Sequence, residues 1–202
     1  MNINDICHLI ETEFKVIKKE KGIICVALIS GEDYPETIVK LILNEAINHF
    51  ELFEVVRGKE YKVNLYSDKY KSMIALYLFS KSKLEVRKHD MDRQTEIRNA
   101  TSLNEIQKIL RTFSDEQYYS FFKIKPNKII LEKNTNDRFN VLFLGQGDSK
   151  IYIAKSRSLN SAALVLYNFS HKLSQFYESL NKIELKNDPE FIENLKELYI
   201  LG

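Results

Sequence analysis

The chain has 202 residues, 30 Lys and Arg against 28 Asp and Glu for a formal net charge of +2, and 44% hydrophobic residues. That is enough apolar material for one generous core or two small ones. No stretch approaches the roughly 18 consecutive apolar residues of a membrane-spanning helix, and Cys7 and Cys25 match neither a metal spacing nor a disulfide framework. Reduced thiols and a cytoplasmic location are the expectation, and MNINDICHLIETEFK lacks the basic-then-apolar order of a secretory signal.

Charge is segregated along the chain. Residues 32–56 carry six acids and one base, a net of −5, whereas residues 57–88 carry nine bases and three acids, a net of +6. Residues 117–157 carry eight bases and three acids, a net of +5. Blocks of this kind set up local potentials that steer partners.

Residues 3–17 read as a short helix with Ile6, Leu9, Ile10 and Phe14 on one side. GIICVALIS, 22–30, is apolar on both alternating sets, as in a strand covered on both faces. GEDYPE then breaks the chain, and 36–49 reads as a helix through Ile38, Leu41, Ile42 and Ile47. Residues 51–56 and 60–66 alternate with period two around Arg57-Gly58-Lys59, a hairpin signal. Ser67-Asp68 caps a helix over 69–81, whose stripe is Tyr70, Met73, Ile74, Tyr77 and Leu78. KLEVRK, 83–88, reads as a short strand. Written out, 22–88 is β-α-β-β-α-β, the ferredoxin-like order, with 22–30 and 60–66 as the central strand pair.

Residues 90–101 are polar without apolar period and read as a linker. Ser102 and Glu105 form a capping box ahead of a helix through Ile106, Ile109 and Leu110. Ser114 to Gln117 repeats the signature and predicts a second short helix ending at Phe122. Strands over 128–133, 138–145 and 149–155 follow as an antiparallel meander. A long helix over 158–182 comes next, and Asp188-Pro189 starts the last helix. The expected fold class is α+β. A helix plus ferredoxin-like subdomain occupies 1–89, and 102–202 form a helical, three-stranded, helical subdomain.

Three patterns could carry chemistry. Glu60-Tyr61-Lys62 has the E-x-K form of metal-dependent nucleases, where acids and a lysine converge on a metal and a phosphate. Its nearest acids, Asp33 and Glu36, fall in a loop or helix start, and Glu13-Phe14-Lys15 repeats the triplet by composition. His89, Asp90 and Asp92 form an acidic patch short of ligands for a dedicated metal site. Gln146-Gly147-Asp148-Ser149 lacks the nucleophile elbow and fits a hairpin loop. Phosphate-binding glycine loops do not occur. No catalytic set, metal or cofactor is expected.

Two patterns point to binding instead. Arg57, Lys59, Lys62, Lys69 and Lys71 interleave with Tyr66 and its neighbours, and Lys123, Lys125 and Lys128 follow Tyr118, Tyr119, Phe121 and Phe122. Cations on phosphates beside aromatic faces on bases are what nucleic-acid contact requires. The RNA-recognition strand pattern itself fails, because Lys59-Glu60 follows Arg57-Gly58. Separately, Ile23, Cys25, Ala27 and Ile29 would form an apolar sheet face that helices on one side leave open, the place for another protein or a twin subunit. The function expected is therefore non-enzymatic macromolecule binding through protein contacts, as in accessory subunits or phage and mobile-element regulators. Nucleic-acid binding is the alternative and a divergent nuclease the second. Neither a membrane nor a small-molecule cofactor is expected as partner.

Overall fold

The computed structural model describes residues 1–20, 22–29, 35–85, 90–134, 136–185 and 188–202. The chain forms two compact units. The first is Met1–Val86 with Ser179–Asp188 and Gly202, and the second is Arg87–Glu178 with Pro189–Leu201. It is an α+β protein with six α-helices and two sheets among the described residues. No helix among them is long and apolar enough to cross a membrane.

The first unit opens with α1, Ile3–Glu13. Asn2 caps it, accepting from the backbone of Asn4 and Asp5, while the Asp5 carboxylate takes the Asn2 N–H at 2.7 Å. This closes three of the orphan donors every helix start leaves. Five strands follow, with no helix between them among the described residues: β1 Lys15–Glu20, β2 Ile23–Ala27, β3 Thr37–Asn44, β4 His49–Val56 and β5 Lys59–Tyr66. They form one antiparallel sheet in the order β1-β2-β3-β4-β5. Then comes α2, Lys69–Leu84, capped by Asp68, whose carboxylate accepts from Lys71 N at 2.7 Å.

The ferredoxin-like order is therefore not what the described residues form. Its first crossover helix, 36–49, is a hairpin of β3 and β4, so every strand pairs with its sequence neighbour. The apolar positions of 37–44 satisfy a helical period as well as a strand period, and β-branching at Thr37, Ile38, Val39 and Ile42 favours the strand. Asn48 has a positive φ of 51° and the Asn44 side chain accepts from Ala46 N, so two asparagines make the turn. Of the expected strand 83–88, Lys83 and Leu84 end α2, and 86–88 lie outside the described residues. Residues 15–17, read as the end of the first helix, begin β1.

Register sorts the sheet's side chains. Val39 faces Val26, and Leu41 faces both Ile24 and Leu52. Val39, Leu41 and Leu52 are buried, and α2 packs across β3 and β4. The other face carries rows of mixed character, such as Lys40, Phe53 and Lys62. Lys62 pairs with Glu51 at 2.7 Å, Lys40 pairs with Glu60, and the Lys40 ammonium lies 5.4 Å from the Phe53 ring centre. One apolar and one polar face is the usual state of an antiparallel sheet.

In the second unit α3, Met91–Asn99, occupies most of the expected linker. Asp90 caps it, and only Gln94 and Ile97 are buried, so no apolar stripe marks it in the sequence. The side-chain amide of Asn160 donates to the carbonyls of Ile97, Arg98 and Ala100 at 2.7–2.9 Å, closing the far end of α3. α4, Leu103–Phe113, forms as the capping box predicts. The short helix expected over 114–122 does not form: a turn leads into β6, Tyr119–Phe121. β6 runs parallel to β7, Ile129–Lys133, and β8, Phe139–Leu144, and β9, Lys150–Arg157, complete the sheet antiparallel. α5, Leu159–Ile183, and α6, Pro189–Leu201, lie where the periodicity predicts. Residues 146–148 make the β8–β9 loop, with Gly147 and Asp148 at positive φ.

Candidate functional site

The first unit holds a cleft of about 550 Å³ between α1, the β1–β2 turn, β3, β4 and the start of α2. Helical spacing builds one wall. Ile6 and Ile10 of α1 point into the core, so Ile3, Cys7 and Glu11, one turn apart, point into the cleft with His8 beside them. Ile24, Leu41, Leu43 and Phe50 supply the sheet wall, and Met73 of α2 closes the floor. The lining is mostly apolar, and its volume lies within the range of about 300–1,000 Å³ typical of ligand pockets.

Polar groups stand at the rim. Lys19 of β1 reaches Glu11 of α1 at 2.5 Å, tying the edge strand to the helix. The hydrogen bond from Lys19 holds the Glu11 carboxyl below its usual value, and Glu11 in turn lifts the Lys19 ammonium. Glu20 pairs with Lys18 at 3.3 Å. Lys69 is exposed and has no carboxylate partner among the described residues. Gly22 makes the turn at the cleft mouth with φ +78°, donating no side chain where a Cβ would meet Leu43 Cβ at 3.2 Å. Its carbonyl accepts from Leu43 N at 2.6 Å. A left-handed, closely approached position of this kind is one that glycine alone fills without strain.

The residues singled out from the sequence are dispersed. In the first basic block, Arg57 pairs with Glu36 at 3.4 Å, Lys62 with Glu51, and Lys71 with Asp188 at 2.5 Å. Lys59 is exposed, and Lys69 sits at the cleft. Tyr66 is half-buried, accepts from Asn64 at 3.1 Å, and has its hydroxyl pushed by burial up to about 12. Three of the five cations are thus already neutralised by carboxylates. In the second block Lys123 and Lys125 are exposed, whereas Lys128 donates to the Glu116 carbonyl. Tyr119 is buried, Tyr118 stacks on Tyr177 at 5.9 Å, and Phe122 is 44% exposed at a positive φ of 62°.

Of the four apolar positions Ile23, Cys25, Ala27 and Ile29, Ile23 lines the cleft, Cys25 and Ala27 are buried, and Ile29, past the end of β2, is exposed. Burial pushes the Cys25 thiol up. Glu60 lies on the polar sheet face with Lys40 as its partner, and Glu13 is bound by lysines. Asp33 and His89 lie outside the described residues. Asp90 pairs with Arg93 at 2.7 Å. Among the described residues no group of three or more His, Cys, Asp and Glu is placed to hold a metal ion.

At about 100° per residue Ile3 and Cys7 fall beside Ile6 and Ile10 on α1, so one broad side of the helix serves both core and cleft, and no signal in the sequence separates the two. The β3 wall is hidden because that segment reads as a helix. No protein-family model, curated protein or solved structure matches the chain.

Proposed function

We propose that the chain is a non-enzymatic protein-binding subunit that seats an apolar anchor of a partner protein in the cleft of the first unit. The observation that carries this reading is the cleft itself. Ile3, Ile23, Ile24, Leu43 and Phe50 present apolar surface in a concavity of about 550 Å³, backed by buried Leu41 and Met73. A buried apolar anchor filling such a pocket dominates many protein interfaces. Lys69 at the rim favours a carboxylate next to that anchor, so the partner segment is apolar with an acidic flank.

A second reading, single-stranded nucleic acid on the loop after β6, rests on exposed Phe122 beside Lys123 and Lys125. One ring and two cations make a small stacking and phosphate site, at about 1–3 kcal/mol for one stacked base. The cleft offers more surface and is preferred.

A photo-reactive phenylalanine analogue placed at Phe50, and separately at Phe122, separates the two in living cells of the native host. The expected result is one cross-linked polypeptide from Phe50 and none from Phe122. Nucleic acid captured from Phe122, with nothing captured from Phe50, reverses the order of the readings.

A further inference from the structure

We infer that β5 is a self-pairing edge, at which a second copy of this chain continues the sheet antiparallel about a twofold axis at Tyr61. This stands independently of the cleft. β5 ends the five-stranded sheet, and Lys59 to Lys62 are all exposed, Tyr61 by 53%. The turn before it fixes which backbone groups face outward. Arg57 and Gly58 both have positive φ, 50° and 77°, the type I′ hairpin. Such a turn closes on Val56 and Lys59 as a hydrogen-bonded pair. Alternation then makes Val55–Glu60 and Phe53–Lys62 non-hydrogen-bonded pairs. The N–H and C=O groups of Glu60 and Lys62 therefore point away from β4, off the sheet.

A twofold at Tyr61 sets Glu60 of one copy against Lys62 of the other, and the reverse. The outward amides and carbonyls of these residues meet as two hydrogen-bonded pairs. Their side chains emerge on one face as opposite charges, and Tyr61 meets its own copy in the close, non-hydrogen-bonded position where aromatic pairs contribute. Within the chain, Glu60 already pairs with Lys40 and Lys62 with Glu51. Pairing extends these into an alternating row: Lys40, Glu60, Lys62 of the second copy, Glu51 of the second copy. The strand's far half sets the limit of the ladder. β5 bulges between Lys62 and Asn64, and the Asn64 side chain takes the Leu65 N–H at 2.8 Å. The pairing is confined to the centre of the strand, which fixes one register and keeps the contact at the weak end of interface sizes.

Sedimentation equilibrium of the full chain over a series rising to about 1 mM tests it. The apparent mass is expected to climb from 23.8 kDa toward twice that value. Glu60→Lys alone, or Lys62→Glu alone, sets like charges against each other across the axis and is expected to weaken association about tenfold. The double exchange Glu60→Lys/Lys62→Glu restores opposite charges across the axis while leaving both residues facing like charges at Lys40 and Glu51. Association recovered in the double variant thus reports contact between copies rather than repair within one. A mass that stays at 23.8 kDa throughout, or a double variant no better than the singles, overturns the inference.

Discussion

Leu52→Ala is expected to destabilise the first unit by about 3 kcal/mol, the middle of the range for emptying a sealed leucine site. Leu52 is fully buried in the centre of β4, opposite Leu41 and beneath α2. Val39 of β3 and Ile74 and Leu78 of α2, the helix that packs on β3 and β4, are equally sealed, so a void in this layer has little room to collapse. Val55, three residues on in the same strand, is half-buried and lies on the other sheet face. Val55→Ala is therefore expected to cost about 1 kcal/mol or less, since it loses little buried area. Urea unfolding followed by circular dichroism measures both, the chain having no Trp. Equal losses at the two positions contradict the assignment of a sealed and an open face, and with it the meander register.

The second large effect is expected at Glu13, the last residue of α1. Its carboxylate receives the Lys182 ammonium at 2.9 Å, the Lys81 ammonium at 3.0 Å and the Tyr77 hydroxyl at 3.1 Å. Lys81, mostly buried, is shared with Glu85 at 2.7 Å. Burial pushes the Glu13 carboxyl up, but the hydrogen bonds and charge of Lys182 and Lys81 outweigh it and hold the group below its ordinary value of 4.5. Replacing one partner of such a network leaves the others short of compensation. Glu13→Gln is expected to cost about 1–3 kcal/mol at neutral pH. A depressed folded-state value means the stabilisation is complete above 4.5 and fades as pH falls through the folded value, because the folded carboxylate must then take up its proton. The gap between the natural chain and the Gln variant is thus wide at pH 7 and narrows below pH 4.5. An unchanged gap at pH 3 contradicts the ion-network account.

How much of this architecture the residues disclose depends on whether one physical signal stands alone. Asp68 before Tyr70 and Met73, Ser102 before Glu105, and Pro189 after Asp188 each join a cap to an apolar period, and α2, α4 and α6 start where those caps stand. The Arg57-Gly58 turn between two alternating runs likewise gives β4 and β5. The signal divides at β3, where Ile38, Leu41 and Ile42 keep a helical period while Val39, Leu41 and Leu43 keep a strand period, and an eight-residue strand is read as helix. β1 hides differently: KVIKKE is an edge strand with five of six residues exposed, rich in helix formers that guard it against edge pairing. α3 hides because a helix needing only Gln94 and Ile97 for its buried face shows no stripe. The cleft inherits these blind spots. Ile3 and Cys7 could be placed on a helix face, yet Leu41 and Leu43 join them only once β3 is a strand.

That cleft is the core of the functional proposal, and Ile3→Asp probes it with least damage elsewhere. Ile3 is the first residue of α1 and lines the cleft, half-buried. An acidic side chain in the first helical turn favours the helix dipole, so the fold is left intact. It also buries a carboxylate where an apolar anchor is to sit, which is costly. Calorimetric titration of the polypeptide captured at Phe50 into the natural chain and into Ile3→Asp measures the consequence. The account predicts an affinity at least about tenfold weaker for the variant, with an unchanged melting temperature. Equal affinity for both chains contradicts a partner seated in this cleft.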